Sequence, residues 1–218
     1  DREYEEVFGY LDEKYPNEEF FIVKCAFGAT SMFNDWRSPS TGVPYAEELT
    51  ADPAKALTFP ELGFPGWCYN ELIHKIQESV DILKSRGYEP KFYAFCWMQG
   101  ESDTTEFKAS RYLENQARFA EFLRVDLAPY AEERGIYFID AGISNSPYCE
   151  PSYPEINEAK EAFAAFSPLN MYFSTIDLGF TIHKEPAGDP DWGHYDSLSE
   201  LELGREFGKR IVEIYSEK

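Results

Sequence analysis

Apolar and polar residues alternate in blocks along this chain, and each block predicts one element. Short, nearly continuous apolar runs predict buried strands, whereas apolar residues spaced three and four apart predict amphipathic helices. The predicted strands are Phe20–Ala26, Phe92–Met98, Ile136–Ile139 and Asn170–Ser174. The predicted helices are Glu3–Tyr15, Trp67–Arg86, Phe107–Glu133, Glu155–Phe166 and one that begins at Ser197.

Local signals sharpen several of these boundaries. Gly87 is placed to end the second helix as a C′ glycine, and Pro129 is expected to interrupt the third. Ser197 with Glu200 matches a capping box at the start of the last helix. Residues 27–65 are rich in Pro, Gly and Ser and predict a long loop, which in a compact domain is usually functional.

Strands alternate with helices over the whole chain. This order predicts a mainly parallel sheet covered on both faces, that is, a three-layer α/β/α sandwich forming one domain over residues 1–218. Ligands of such sheets bind beyond the carboxyl ends of the strands, so chemical residues are expected just after strands.

Charge and composition narrow the range of partners. The 218 residues include 40 acidic and 20 basic ones, a formal net charge of −20, which would repel nucleic acid and anionic lipid but not a neutral sugar ester. No stretch is apolar enough to span a membrane, and the first residues do not form a signal peptide. The compartment stays open, with a secreted or periplasmic location favoured.

No metal or other cofactor is predicted. The four cysteines form no CxxC pair, which argues against a zinc ribbon or a thioredoxin-type motif, although disulfides stay open. The three histidines, His74, His183 and His194, are scattered along the sequence.

Three segments carry candidate chemistry. The first is Trp97–Asp103, where the Gln99 amide can donate to an oxyanion and Gly100 permits a sharp turn. In the second, Asp191 lies three residues before His194 and can orient its imidazole as a general base. The third is Gly28–Ser31, after the first predicted strand, where a glycine N–H can face an anion. Each segment alone is equally consistent with an ordinary turn.

Together these segments resemble the SGNH-hydrolase superfamily, in particular its sialate O-acetylesterase-like and carbohydrate esterase family 6 branch. Its WxQGExD block is matched by Trp97–Asp103 and its DxxH block by Asp191–His194. Its GGTS-like block reads Gly28-Ala29-Thr30-Ser31, with alanine in place of the second glycine. Weaker similarities at Tyr69–His74 and Phe122–Leu127 extend the resemblance over nearly the whole chain.

The resemblance implies a flavodoxin-like sheet and a serine esterase that removes acetyl groups from sugars such as sialic acid or plant polysaccharides. In that reading His194 is the general base and Asp191 orients it. Gln99 and the N–H of Gly28 form the oxyanion hole, and Glu101 supports the loop that presents Gln99. We also expect Trp36 and Trp192 to stack on the sugar, because aromatic faces pack on sugar rings.

The nucleophile of the family, a serine in a GDS- or GQSN-type turn after the first strand, has no match in this sequence. None of the fifteen serines has that context, although Ser31 and Ser102 lie in neighbouring blocks. We therefore expect the first strand and its serine to lie upstream of Asp1, in the same polypeptide, in a cleaved piece or in a separate chain.

Two other functions stay open at this point. One is a non-catalytic carbohydrate-binding relative that has lost its nucleophile. The other is a glycosidase that uses Glu101 or Asp103 together with Asp191, which would require carboxyl groups about 5–10 Å apart across a cleft.

Overall fold

The computed structural model describes residues 2–38, 66–182 and 193–216. Its residues group into two compact units. The first unit comprises Asp1–Ile22, Ala94–Met98 and Tyr137–Lys218, and the second comprises Val23–Tyr93 and Gln99–Ile136. A single domain over the whole chain stays a prediction.

The described residues form helices and strands that alternate along the chain. The strands are β1 (Ala94–Met98), β2 (Tyr137–Ala141) and β3 (Asn170–Phe173). The helices are α1 (Arg2–Lys14), α2 (Trp67–Ser85), α3 (Glu106–Ala109), α4 (Tyr112–Asp126), α5 (Tyr153–Ala164) and α6 (Ser197–Ser216). Short 3₁₀ turns lie at Glu101–Asp103 and Ala128–Tyr130.

The first unit contains a parallel sheet in the order β1-β2-β3. Phe138 in β2 is in register with Phe95 in β1 and with Asn170 in β3. The alternation of parallel strands with helices confirms the predicted α/β class.

The two faces of this sheet are covered by different helices. Side chains alternate along a strand, so Phe138 and Asp140 point to one face and Ala141 and its partner Phe173 to the other. On the first face the Phe138 ring packs edge-on against Phe163 of α5. On the opposite face Phe173 packs against Phe207 of α6. Within this unit the predicted three-layer arrangement is therefore confirmed.

A buried ion pair fixes α5 to the sheet. The Lys160 Nζ atom lies 2.6 Å from Asp140 Oδ1, and both side chains are 0% exposed. On the other face, α1 packs along α6, where a side chain at Gly208 would meet the Tyr10 Cβ at 3.2 Å. Close approach of these two helices therefore depends on glycine at position 208.

The second unit has its own apolar core between α2 and α4. Tyr69 of α2 packs edge-on against Phe119 of α4, and both rings are buried. Gly87 ends α2 with φ of 90°, and the Gly87 and Tyr88 N–H groups donate to the carbonyls of Lys84 and Leu83. The prediction that this glycine ends the helix is confirmed.

Three predictions about elements are wrong. Phe20–Ala26 makes no strand ladder in the described residues, and Phe21 is 48% exposed, because an apolar run by itself fixes neither a pairing partner nor the surface that would cover it. The helix predicted over Phe107–Glu133 is divided at Ser110–Arg111, which was not expected. The expected interruption near Pro129 is confirmed, because α4 ends at Asp126 and a 3₁₀ turn containing Pro129 follows. The N-terminal cap of α6 is Asp196, one residue before the predicted Ser197. The Oδ1 atom of Asp196 accepts from the Ser199 N–H at 3.0 Å.

Two further observations concern the whole described chain. Across residues 2–38, 66–182 and 193–216, no helix has the length and apolar character needed to cross a membrane. All four cysteines lie in these ranges, and no two of them are joined by a disulfide.

Candidate active site

The segment after β1 turns sharply, and the turn depends on glycine. Gly100 has φ of 147°, a backbone conformation that residues with a Cβ rarely adopt. The sharp bend at Gly100 leads into the 3₁₀ turn Glu101–Asp103, which brings the Asp103 side chain back toward Gln99. The expected role of this glycine is confirmed.

Gln99 is buried, and its side-chain amide is fully hydrogen-bonded. The Nε2 atom donates to the Thr30 carbonyl at 3.0 Å and to Asp103 Oδ2 at 2.7 Å. The Tyr112 hydroxyl lies 3.1 Å from Gln99 Oε1 and 2.9 Å from the Gln99 carbonyl oxygen, so it can donate to either. The bond to Thr30 links the Gln99 segment directly to the turn after Gly28.

Asp103 provides a second link between the Gln99 segment and the turn after Gly28. Its carboxylate is 0% exposed and accepts from the N–H groups of Met32 at 2.7 Å and Phe33 at 3.0 Å. Burial raises the pKa of the Asp103 carboxyl to about 6, against the opposing effect of hydrogen bonds from Gln99, Phe33 and Met32 and of the Lys108 charge. An ionisable group is therefore placed in the interior, between the two segments.

A second buried carboxylate, Asp35, shapes the turn itself. Its Oδ2 accepts from the Ser31 N–H at 2.8 Å and from the Ser31 hydroxyl at 3.0 Å. Its Oδ1 accepts from the indole N–H of Trp67 at 3.1 Å. The Ser31 hydroxyl is thus buried and points to a carboxylate, not to an imidazole.

Gly28 lies at the exposed end of this turn. No other part of the described chain comes within 4 Å of the position where its Cβ would be, so there is space beside it. Ala29, which follows, has φ of 57°, in the left-handed region. The family's second glycine thus falls at a position whose backbone favours glycine.

Trp36 does not offer an open face to a sugar. Its side chain is 3% exposed, its indole N–H donates to the Thr30 hydroxyl at 2.8 Å, and its ring packs near those of Phe27 and Phe119. The expectation that Trp36 stacks on substrate is wrong, because packing in the interior uses its ring faces.

The carboxylates after Gln99 differ in what they can do. Asp103 is enclosed and accepts three N–H groups of described residues, which leaves it no access to a sugar and excludes it as a glycosidase acid. Glu101 is half-buried, and its carbonyl accepts from the hydroxyl of Thr104 at 2.7 Å. A supporting role for the Glu101 side chain stays a prediction.

His194 lies in the first unit, exposed, in the turn before α6. The next residue ties this turn to the carboxyl ends of two strands: the Tyr195 hydroxyl lies 2.7 Å from the Thr175 hydroxyl and donates to the Gly142 carbonyl at 3.2 Å. Gly142 follows β2, and Thr175 lies two residues after β3. The two other residues predicted here, Asp191 and Trp192, lie outside the described residues.

The sequence motifs assigned no positioning role to several residues that hold these segments in place. Asp103 was part of the WxQGExD match, and its position four residues after Gln99 was the available signal. Asp196, directly before a helix, is a preferred capping residue and could have been identified from that position. The pairing of Tyr195 with Thr175 has no sequence signal, since twenty residues separate the two hydroxyls.

The described residues contain no cluster of three or more His, Cys, Asp or Glu side chains that could hold a metal ion. The prediction that no metal takes part stays a prediction.

Comparison with known proteins gives the family. No curated protein sequence matches the chain. Residues 7–213 match a family described as "carbohydrate esterase, sialic acid-specific acetylesterase". This match spans almost the whole chain, including the segments that contain Gly28, Gln99 and His194. The chain belongs to this carbohydrate esterase family.

Proposed function

We propose that the protein removes acetyl groups from sugars, with a serine nucleophile, His194 as its base and Asp191 as the group that orients His194. The observation that carries the proposal is the direct hydrogen bonding of the Gln99 segment to the turn after Gly28. The resemblance assigns both segments to the oxyanion hole, and they are neighbours in the second unit.

In the reaction we propose, the serine hydroxyl attacks the acetyl carbonyl carbon while His194 takes the hydroxyl proton. The carbonyl oxygen becomes an oxyanion, and the Gln99 amide and the Gly28 N–H donate to it. His194 then gives its proton to the departing sugar oxygen. Water, activated by the same imidazole, releases acetate from the acetyl-serine and restores the enzyme.

The geometry of Gln99 imposes one requirement on this mechanism. Both hydrogens of its amide are already used, on Thr30 and on Asp103. The bond to the Asp103 carboxylate is shorter and charge-assisted, so the bond to the Thr30 carbonyl is the weaker of the two. We expect the Gln99 N–H that now donates to the Thr30 carbonyl to be the one that donates to the oxyanion instead.

Ser31 is a poor candidate for the nucleophile. It is fully buried, and its hydroxyl donates to Asp35 Oδ2. We expect a fluorophosphonate probe to modify the protein, expressed from its complete gene, on a serine other than Ser31. Peptide mass spectrometry locates the adduct. An adduct on Ser31, or no adduct at all, would contradict the proposed mechanism.

The esterase activity is tested by the release of p-nitrophenol from its acetate ester. We expect His194→Ala to lower kcat by about 10³-fold or more, because the serine then lacks its base. His74→Ala is the matched control, since His74 is exposed on α2. Equal rates for the wild type and His194→Ala would overturn the proposal.

A further inference from the structure

We propose that Asp103 is a positioning residue for this esterase. Its carboxylate holds the Gln99 amide nitrogen toward the turn after Gly28 and keeps that amide in the orientation from which it can donate to an oxyanion. This inference rests on the proposed function, because it assigns Asp103 a task within the same reaction.

The first argument is the chemistry of the two partners. A primary amide can rotate by 180° and exchange its nitrogen and oxygen with little change in shape. An ionised carboxylate only accepts hydrogen bonds, so Nε2 and not Oε1 must face Asp103 Oδ2, at 2.7 Å. The Thr30 carbonyl, which also only accepts, lies 3.0 Å from Nε2 and requires the same orientation. The Asp103 carboxylate and the Thr30 carbonyl together select one of the two amide orientations, in which the Tyr112 hydroxyl lies 3.1 Å from Oε1.

The second argument is the position of Asp103 between two backbone segments. Its oxygens also accept the N–H groups of Met32 and Phe33, which lie immediately after Gly28–Ser31. One side chain thus links the Gln99 amide to the turn that contains the second predicted oxyanion donor. A displacement of about 1 Å at such a site is enough to lower a rate substantially.

The third argument is the burial of the group. Asp103 is 0% exposed. A carboxylate in the interior is costly unless hydrogen bonds and charge compensate it. Its two oxygens accept from the N–H groups of Met32 and Phe33 and from the Gln99 amide. The two backbone bonds account for an acceptor at this position, and the third places that acceptor-only group against Nε2.

Four variants separate positioning from simple stability, namely Asp103→Asn, Gln99→Ala, the double variant and Glu206→Gln. Glu206 is the matched control, because it is a buried carboxylate on α6 whose bonds go to Lys209 and Arg210 and not to Gln99 or the turn after Gly28. Thermal melting establishes that each variant is folded at the assay temperature.

We expect Asp103→Asn to lower kcat by about 10- to 100-fold with KM within about threefold, since loss of one oxyanion donor costs about 10²–10³. In the Gln99→Ala background the same change should lower kcat by less than about threefold, because residues that act as one unit are not additive. Glu206→Gln should stay within about threefold of the wild type. Equal losses in Asp103→Asn and Glu206→Gln, or effects that multiply in the double variant, would overturn the proposal.

A second variant and a spectroscopic measurement guard against misfolding or an inactive wild type. Tyr112→Phe removes the hydroxyl beside Oε1 and should lower kcat about threefold or more, but not in the Gln99→Ala background. In ¹⁵N-labelled protein, the side-chain NH₂ signals that disappear in Gln99→Ala should shift in Asp103→Asn and not in Glu206→Gln.

The spectrum separates this proposal from the function on which it rests. If the wild type hydrolyses no ester, the proposed function fails, and the NH₂ signals alone decide whether Asp103 holds Gln99. Unchanged signals in Asp103→Asn would overturn the positioning role even in an active enzyme.

Discussion

Ala29 has a positive φ of 57° without being a glycine, the only such case in the described residues. A left-handed backbone costs a residue with a Cβ about 1–2 kcal/mol, and part of that cost is offset because alanine restricts the unfolded chain more than glycine does. We expect Ala29→Gly to raise the free energy of unfolding by about 1 kcal/mol.

Urea denaturation checks this expectation. Ala165→Gly is the control, because Ala165 has right-handed φ of −75° at the end of α5, where glycine gains no such relief. If Ala29→Gly is as destabilising as Ala165→Gly, the strain argument for position 29 is wrong.

Asp103 makes the stability of the protein depend on pH. Burial raises its pKa from 3.8 to about 6, so between these values the folded state holds a proton that the unfolded chain has released. Stability from this group is therefore fully present below about pH 4 and is lost as pH rises through about 6. The Asn variant has no proton to release at this position.

We expect the stability of the wild type relative to Asp103→Asn to fall by about 1.4 kcal/mol between pH 5 and pH 7.5, which corresponds to one pKa unit of one site. Urea denaturation of both proteins at the two pH values provides the measurement. If the difference in stability between the wild type and Asp103→Asn is the same at both pH values, the pKa of Asp103 is not raised.

At the scale of elements, the Asp140–Lys160 pair joins β2 to α5 with both charges enclosed. Removing one partner of such a pair leaves an uncompensated charge and typically costs about 3–5 kcal/mol, whereas replacing both with apolar residues is much less costly. We therefore expect Lys160→Met to destabilise the protein strongly, and Lys160→Met with Asp140→Leu to recover most of the loss.

Chemical denaturation of the wild type, both single variants and the double variant gives the coupling between the two positions. Additive effects would contradict the role of this ion pair in attaching α5 to the sheet.

Elements could be predicted from the sequence where a local signal decides them. The apolar run at Phe92–Met98 contains β1, although Trp97 is the one buried residue of that strand. Gly87 ended α2 because a left-handed glycine is a property of the local sequence. Phe20–Ala26 has the same kind of apolar run and forms no ladder in the described residues, since pairing depends on a distant partner. The break at Ser110–Arg111 also went unpredicted, because neither residue is a helix breaker.

At the scale of the whole molecule, the sequence motifs predicted the two segments that the structure brings together, Gly28–Ser31 and Gln99–Asp103. The motifs could not predict which hydrogen bonds join the two segments. The bonds of Asp103 to Met32 and Phe33 join residues about seventy positions apart, and Trp36 became a core residue because its neighbours come from other parts of the chain.

The most direct test of the account measures acetate released from an O-acetylated sugar by the protein expressed from its complete gene. The substrates are O-acetylated sialic acid and acetylated xylan, and His194→Ala and His74→Ala are assayed beside the wild type. We predict release from at least one substrate by the wild type and by His74→Ala, and a loss of about 10³-fold or more in His194→Ala. Release that is unaffected by His194→Ala, or no release from either sugar, would contradict the account.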